Sequence, residues 1–241
     1  MTYCVGLLLD AGMVCLSDTR TNAGLDNIST YKKMYTFTEP DDRVIVIMAA
    51  GSLSVTQTTM ARIDEAATDI EATPHDSILL APTMLQVAQI VGQTLAAVSE
   101  EVSSRMGAHA SGATATIILA GQRAGGDMRM FLIYPEGNFI EATADTPFLQ
   151  IGEHKYGKPI LDRVVTPQTS LSDAKKAVLL SMDSTLRSNL SVGMPLDLVV
   201  IEKDALRITE SRRIEPHDEH FAQMSRDWSD ALRNAFSGIE L

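Results

Sequence analysis

Only two cysteines, Cys4 and Cys15, occur in 241 residues. Neither sits in a Cys-x-x-Cys or Cys-x-His spacing, which argues against a disulfide scaffold and against a zinc site built on thiolates. So few thiols suit a compartment where they stay reduced, and the expected location is the cytoplasm. Basic residues are also few: 20 Lys and Arg against 31 Asp and Glu leave a net charge of −11. The acidic residues are spread along the chain, so its surface repels phosphate backbones and no nucleic-acid partner is expected. Arg212-Arg213 is too short a basic run to form a binding stripe. No segment approaches the roughly 20 consecutive apolar residues of a membrane-spanning helix, so no membrane partner is expected. The opening Met1–Gly12 lacks a basic segment and soon meets Asp10, so it is not read as a secretory signal. Solenoid-period repeats and low-complexity linkers are absent.

What is present is an ordinary globular composition, 45% apolar and 21% charged. The expectation is a single domain over 1–241. Strands are predicted at Thr2–Leu9, Met13–Thr19, Thr30–Thr38 and Arg43–Ala50, with a polar loop at Thr21–Ser29. Helices are predicted over Ser52–Ala72 and from Pro82, the second with Ala88, Val91, Leu95, Val98 and Val102 on one face. Further strands fall at Thr114–Ala120, Met128–Tyr134, Asn138–Thr143 and Pro147–Ile151. Helices follow over Lys155–Val164 and Ser172–Arg187, with Ser170 or Ser172 as the cap of the second. A hairpin of Leu196–Ile201 and Leu206–Glu210 leads to an amphipathic C-terminal helix at about 216–236. That helix carries Phe221, Met224, Trp228, Leu232 and Phe236 on one stripe.

The strands do not alternate cleanly. Val44 to Met48 and Leu7 to Leu9 are continuous apolar runs, as expected of strands covered on both faces. Strands come in hairpin groups instead of alternating singly with helices. Two antiparallel sheets packed face to face, with helices outside, satisfy both observations.

The N-terminus carries the chemistry. If Asp10-Ala11-Gly12 closes the first hairpin, Leu9 faces Met13, Thr2 faces Arg20, and Asp18 shares a face with Thr2. Diagonal neighbours lie roughly 7–8 Å apart, a gap that Lys33 from the next strand would fill. Methionine aminopeptidases remove Met1 when the next residue is small, as Thr2 is. The freed α-amine, titrating near ~7.7–8, can take the hydroxyl proton at neutral pH. Lys33 would lower the pKa of amine and hydroxyl, and Asp18 would hold Lys33 charged. Each residue alone has an ordinary structural explanation, a strand-forming Thr and a surface ion pair of little consequence. The joint pattern is what counts.

That pattern resembles the opening of proteasome beta-type subunits, members of the N-terminal nucleophile hydrolases. The residues that carry it are Thr2-Tyr3-Cys4-Val5-Gly6, the run Leu16-Ser17-Asp18-Thr19-Arg20-Thr21-Asn22-Ala23-Gly24, and Tyr31-Lys32-Lys33-Met34. Met48-Ala49-Ala50-Gly51 and Phe148-Leu149-Gln150-Ile151-Gly152 resemble later segments of the family. The Val5–Met13 opening, the Ser17–Gly24 run and the extended C-terminal helix favour its ancestral bacterial branch. The resemblance implies a four-layer αββα sandwich. It implies Thr2 as nucleophile, Asp18 and Lys33 beside it, and Gly51 N–H in an oxyanion hole. Ser191 would orient the threonine amine, and Asn22, Ala49 and Gly51 would hold a peptide or protein substrate. Ala49 would leave a roomy first specificity pocket. No metal or organic cofactor is implied. A ring or helical homo-oligomer is implied, and an ATP-dependent unfoldase is a further candidate partner.

Two departures stand out. Gly152-Glu153-His154 replaces the usual Gly-Ser-Gly, and Ser188 stands where the family has Asp. Three readings therefore remain: a threonine-type peptidase, a degenerate subunit serving as scaffold or peptide platform, and a narrow amidohydrolase or acyl transferase. Elsewhere, His217-Asp218-Glu219-His220 has metal-type spacing but reads as a solvated first helical turn. The glycines of Gly121–Gly126 read as a hairpin turn, with no following Lys-Ser/Thr to make a phosphate loop.

Overall fold

Apolar residues on both faces of a strand need cover on both sides, and the computed structural model, describing residues 1–22, 28–106 and 114–240, supplies it. In chain order the strands are β1 (Tyr3–Leu9), β2 (Gly12–Asp18), β3 (Arg20–Asn22), β4 (Ile28–Thr30), β5 (Met34–Glu39) and β6 (Arg43–Gly51). Helices α1 (Leu53–Thr68) and α2 (Met84–Met106) follow, then β7 (Ala115–Arg123), β8 (Arg129–Ile133), β9 (Phe139–Glu141) and β10 (Phe148–Gly152). The chain continues through α3 (Lys158–Val164), α4 (Leu171–Ser188), β11 (Leu196–Glu202), β12 (Glu210–Ile214) and α5 (Glu219–Ser237). The strands form two five-stranded sheets, ordered β10-β1-β2-β11-β12 and β5-β6-β7-β8-β9, and a small β3-β4 pair. All pairings are antiparallel.

Strand β6 shows why its sequence is apolar throughout. Ile45, Ile47 and Ala49 pack in a cluster with Val55, Met60 and Ile63 of α1 and with Val87, Val91 and Leu95 of α2. The intervening Val44, Val46, Met48 and Ala50 face a second cluster that contains Cys4, Met13 and Cys15 of the other sheet. On β1, Tyr3, Val5 and Leu7 point the opposite way, into a third cluster with Leu161 of α3 and Ala174, Val178 and Met182 of α4. Period-two alternation thus feeds two cores from each strand. The sheets approach closely at Gly6, where a Cβ would lie 2.9 Å from the Met130 sulfur. Burial pushes the Cys15 thiol between them up to about 12 and the Cys4 thiol higher still.

Several expectations need correction. The predicted strand Thr30–Thr38 divides: Ile28–Thr30 pairs with β3, and Met34–Glu39 joins β6 in a different sheet. The chain changes direction over Tyr31–Lys33, with Tyr31 N–H donating to Thr19 O (2.9 Å). The loop expected at Thr21–Ser29 contains parts of β3 and β4, and 23–27 lie outside the described residues. The last hairpin's return strand starts at Glu210, not Leu206. Leu206 has φ +50°, outside the strand region, and Asp204 is tied to Gln122 by two hydrogen bonds of 2.6 and 2.9 Å. Helix α3 begins at Lys158, after a turn where Lys155 was expected to start it. Ser170 is the cap of α4, accepting from Asp173 N–H at 3.1 Å. At the C-terminal helix, Asp218 accepts from Phe221 N–H (2.8 Å), which makes the His217–His220 segment a helix start. Among the described residues, no helix is long and apolar enough to cross a membrane.

Candidate active site at the N-terminus

The first hairpin sets the site, with a register one residue away from the expected one. Leu9 pairs with Gly12, not Met13, and Cys4 pairs with Ser17. Gly12 has φ +153°, and a Cβ there would lie 2.3 Å from Ile201 O, so this paired position is open only to glycine. A one-residue slip exchanges the faces of a strand. Continued to its end, the pairing sets Asp18 opposite Tyr3 and Thr2 opposite Thr19, so Asp18 does not share a face with Thr2 in the regular ladder.

Lys33 closes the resulting gap. Its Nζ donates to Asp18 Oδ1 (2.8 Å), Arg20 O (2.5 Å) and Met1 O (3.1 Å), so all three ammonium protons are used. Asp18 is 0% exposed, Lys33 6% and Thr2 7%, so water screens none of them well. The Asp18 carboxylate also accepts the backbone N–H groups of Tyr3 (3.1 Å) and Gly193 (3.2 Å). Burial pushes its carboxyl up from the ordinary 3.8, opposed by Lys33 and the two amides. Tyr3 is anchored in turn, with its hydroxyl 2.6 Å from Ser181 Oγ and accepting from Gln150 Nε2.

Gly51 lies at the end of β6 with φ +124°. Its neighbours define where its amide points. Ala49 N–H donates to Lys33 O (3.0 Å) on the β5 side, and Ser52 N–H to Thr114 O (2.9 Å) on the β7 side. Alternation along the strand directs Gly51 N–H to the β5 side. There β5 has not yet begun, so the amide faces the crevice. Met1, Thr2, Lys33, Ala49 and Gly51 all line that crevice, whose volume is about 40 Å³.

Two expected members sit apart. Thr21, not Asn22, lines the crevice, and Asn22 Oδ1 is buried with no hydrogen bond among the described residues. Ser191 belongs to the loop after α4, where its backbone N–H donates to Asn189 Oδ1 (2.9 Å), and it does not line the crevice. From that loop it is Gly193 that reaches Asp18. The loop passes close to Arg20 there, since a Cβ at Gly193 would fall 2.1 Å from the Arg20 side chain. Glu153, a departure from the family pattern that with His154 could also be read as a weak acid–base pair, donates its N–H to Thr2 O at 2.7 Å.

No family model matches the chain. No curated protein matches it either. Solved structures do. The chain is similar to a mutant of Anbu from a Hyphomicrobium species, with 48% identity, a TM-score of 0.93, and 100% of this chain and 99% of that one covered. Anbu (ancestral beta-subunit) from Yersinia bercovieri matches at 40% identity and TM-score 0.92, covering 99% and 98%. The helical assembly of the Anbu complex from Pseudomonas aeruginosa matches at 41% and 0.92, covering 99% and 97%. Fold, N-terminal site and these likenesses together define a proteasome-like protein of the beta type. Within that class, the chain belongs to the Anbu family.

Proposed function

We propose that the chain is a threonine-type peptide or amide hydrolase acting through Thr2 once Met1 is removed. One observation carries this reading. The third proton of Lys33 is held by the Met1 carbonyl, the group that leaves with Met1, beside a nearly buried Thr2. Excision frees a lysine donor and an α-amine at the same place. The amine then takes the Oγ proton, Oγ attacks the substrate carbonyl, and Gly51 N–H receives the developing oxyanion. The amine returns the proton to the leaving nitrogen, and water, activated by the same amine, releases the acyl group from Thr2. Asp18 keeps Lys33 charged. Ala49 borders the first specificity pocket, and Asn22 and Ser191 serve in outer positions. No step needs a metal or cofactor.

The fold we assign is one domain over 1–241, a four-layer αββα sandwich of the N-terminal nucleophile hydrolase kind. The antiparallel sheets with helices packed on their outer faces support it. The chain works in the cytoplasm as a homo-oligomer, in line with the helical assembly of the Pseudomonas relative. An unfoldase partner would follow only if whole proteins are substrates. A second reading, a catalytically degenerate platform, is favoured by Ser188, the exposed last residue of α4, and by Ser191, which stands away from the crevice.

The test is a panel of fluorogenic peptides given to the Met1-free protein and to Thr2→Ala, with and without an added amine. Hydrolysis lost in Thr2→Ala supports the peptidase, and acyl transfer to the added amine points instead to a transferase. Equal, background-level rates in both proteins would sink the reading and leave the platform.

A further inference from the structure

Strand β10 pairs with β1 with Tyr3 opposite Gly152, and one more step sets Glu153 opposite Thr2. The Glu153 N–H to Thr2 O hydrogen bond of 2.7 Å extends the pairing to that step. Glu153 itself lies one residue past the end of β10, its backbone held against that of Thr2 by this bond. The close fit is enforced at Gly152, φ +78°, where a Cβ would lie 1.9 Å from Thr2 O. Glu153 is half-buried, and its carboxylate has no ion-pair partner or hydrogen bond among the described residues. The cations next along the chain are otherwise engaged: Lys155 sits over the Tyr156 ring and Lys158 pairs with Asp162. A half-buried carboxylate left without a cation, beside the residue that gains a new one when Met1 departs, is an arrangement waiting for that charge.

We propose that Glu153 is a positioning residue for the Thr2 α-amine, its carboxylate serving as counter-ion to the ammonium that Met1 excision creates. This rests on the threonine-nucleophile reading above. Three charged groups act on the Met1 amine, one residue before the amine that excision would create. Burial and then Lys33 lower its pKa, while Asp18 and Glu153 oppose them. Lys32 and Tyr35 also line the crevice. Asp18 is already committed to Lys33 and two backbone amides. Glu153 is the acidic group left to answer the amine, and it keeps the amine from losing its proton too early as pH rises. It thereby sets the pH at which the nucleophile is armed and holds the ammonium against β10.

The experiment measures the midpoint of the Thr2 α-amine directly, by isotope-labelled reductive methylation and NMR titration, on protein shown by intact mass to lack Met1. The wild type is compared with Glu153→Gln and Glu153→Asp, with folding checked by thermal melting. In Glu153→Gln the midpoint falls by about half to one pH unit, and Glu153→Asp restores most of the difference, as expected for a partly exposed charge neighbour. The difference shrinks in about 1 M salt, where the screening length is about 3 Å. A wild-type and Gln midpoint within about 0.2 pH unit of each other overturns the proposal and leaves the nucleophile reading standing. A Met1-free wild type that shows the midpoint difference yet cleaves no amide faster than Thr2→Ala keeps the ion pair and overturns the nucleophile reading instead.

Discussion

Removing the Lys33 ammonium tests the centre of the site most severely. In Lys33→Met, Asp18 stays fully buried and keeps only the Tyr3 and Gly193 amides, at 3.1 and 3.2 Å. Breaking a buried ion pair from one side costs about 3–5 kcal/mol, and the two surviving amides put this case at the lower end, about 3 kcal/mol. For a chain of this size that corresponds to a melting temperature lower by about 6–12 °C. The loss depends on pH. Burial already holds the Asp18 carboxyl above its ordinary 3.8, and removing Lys33 takes away the largest opposing influence, so it rises further. A carboxyl raised in the folded state takes up a proton on folding. Its contribution is intact below the unfolded value and is lost as pH rises through the folded one. Lys33→Met should therefore lie close to the wild type near about pH 4.5 and furthest below it near about pH 8. Adding Asp18→Asn should recover more than half of the loss, because both charges are then gone. The assay is urea unfolding at fixed protein concentration across that range. A loss below about 1 kcal/mol, or one equal at both pH values, would show that the pair is wet and refute the reasoning.

Three further outcomes follow from other parts of the structure. Cys4 and Cys15, buried and with raised thiols, should resist iodoacetamide at about pH 8, where an exposed thiol is partly ionised, and both should react once urea unfolds the chain; native labelling would contradict the sealed inter-sheet core. Gly51→Ala forces a side chain into φ +124° with its Cβ 2.3 Å from Thr114 O. It should lower stability by about 2 kcal/mol or more in chemical unfolding and abolish turnover on small amides, and near-normal values for both would remove Gly51 from the site. On α5, Leu232 is 50% and Phe236 80% exposed, and Leu232→Ser with Phe236→Ser should shift the assembly to smaller species in sedimentation with the melting temperature nearly unchanged; an unaltered distribution would place subunit contacts elsewhere.

Much of this was legible in the residues. The two-sided apolar run of β6 announced cover on both faces, because each parity of a buried strand must find its own core. Thr2, Asp18, Lys33, Ala49 and Gly51 do converge, although by a different route from the expected one. The hairpin register depended on whether the backbone at Gly12 is turn or ladder, which is a question of one φ angle and one close approach to Ile201. Composition does not encode it. The switch of sheet at Tyr31–Lys33 was hidden because Ile28–Thr30 and Met34–Glu39 have similar strand-forming residues, and hydrophobic pattern cannot say which sheet a strand joins. Leu206 and Ile208 look like strand residues, yet contacts from Gln122, distant in sequence, hold that segment as a loop. Ser191 and Asn22 were placed by resemblance alone, and the structure sets both outside the crevice. Gly193 and Glu153 reach the site through their backbone N–H groups, which every residue but proline possesses, so side-chain motifs gave them no distinct mark.

The most direct measurement is the intact mass of the purified protein before and after exposure to a peptide epoxyketone, with Thr2→Ala alongside. That reagent forms its ring adduct only with a hydroxyl and a free α-amine on one residue. Loss of Met1 and one adduct per chain, absent from Thr2→Ala, is the result this account predicts. A chain that has lost Met1 and never labels, or a Thr2→Ala protein that labels equally, would contradict it.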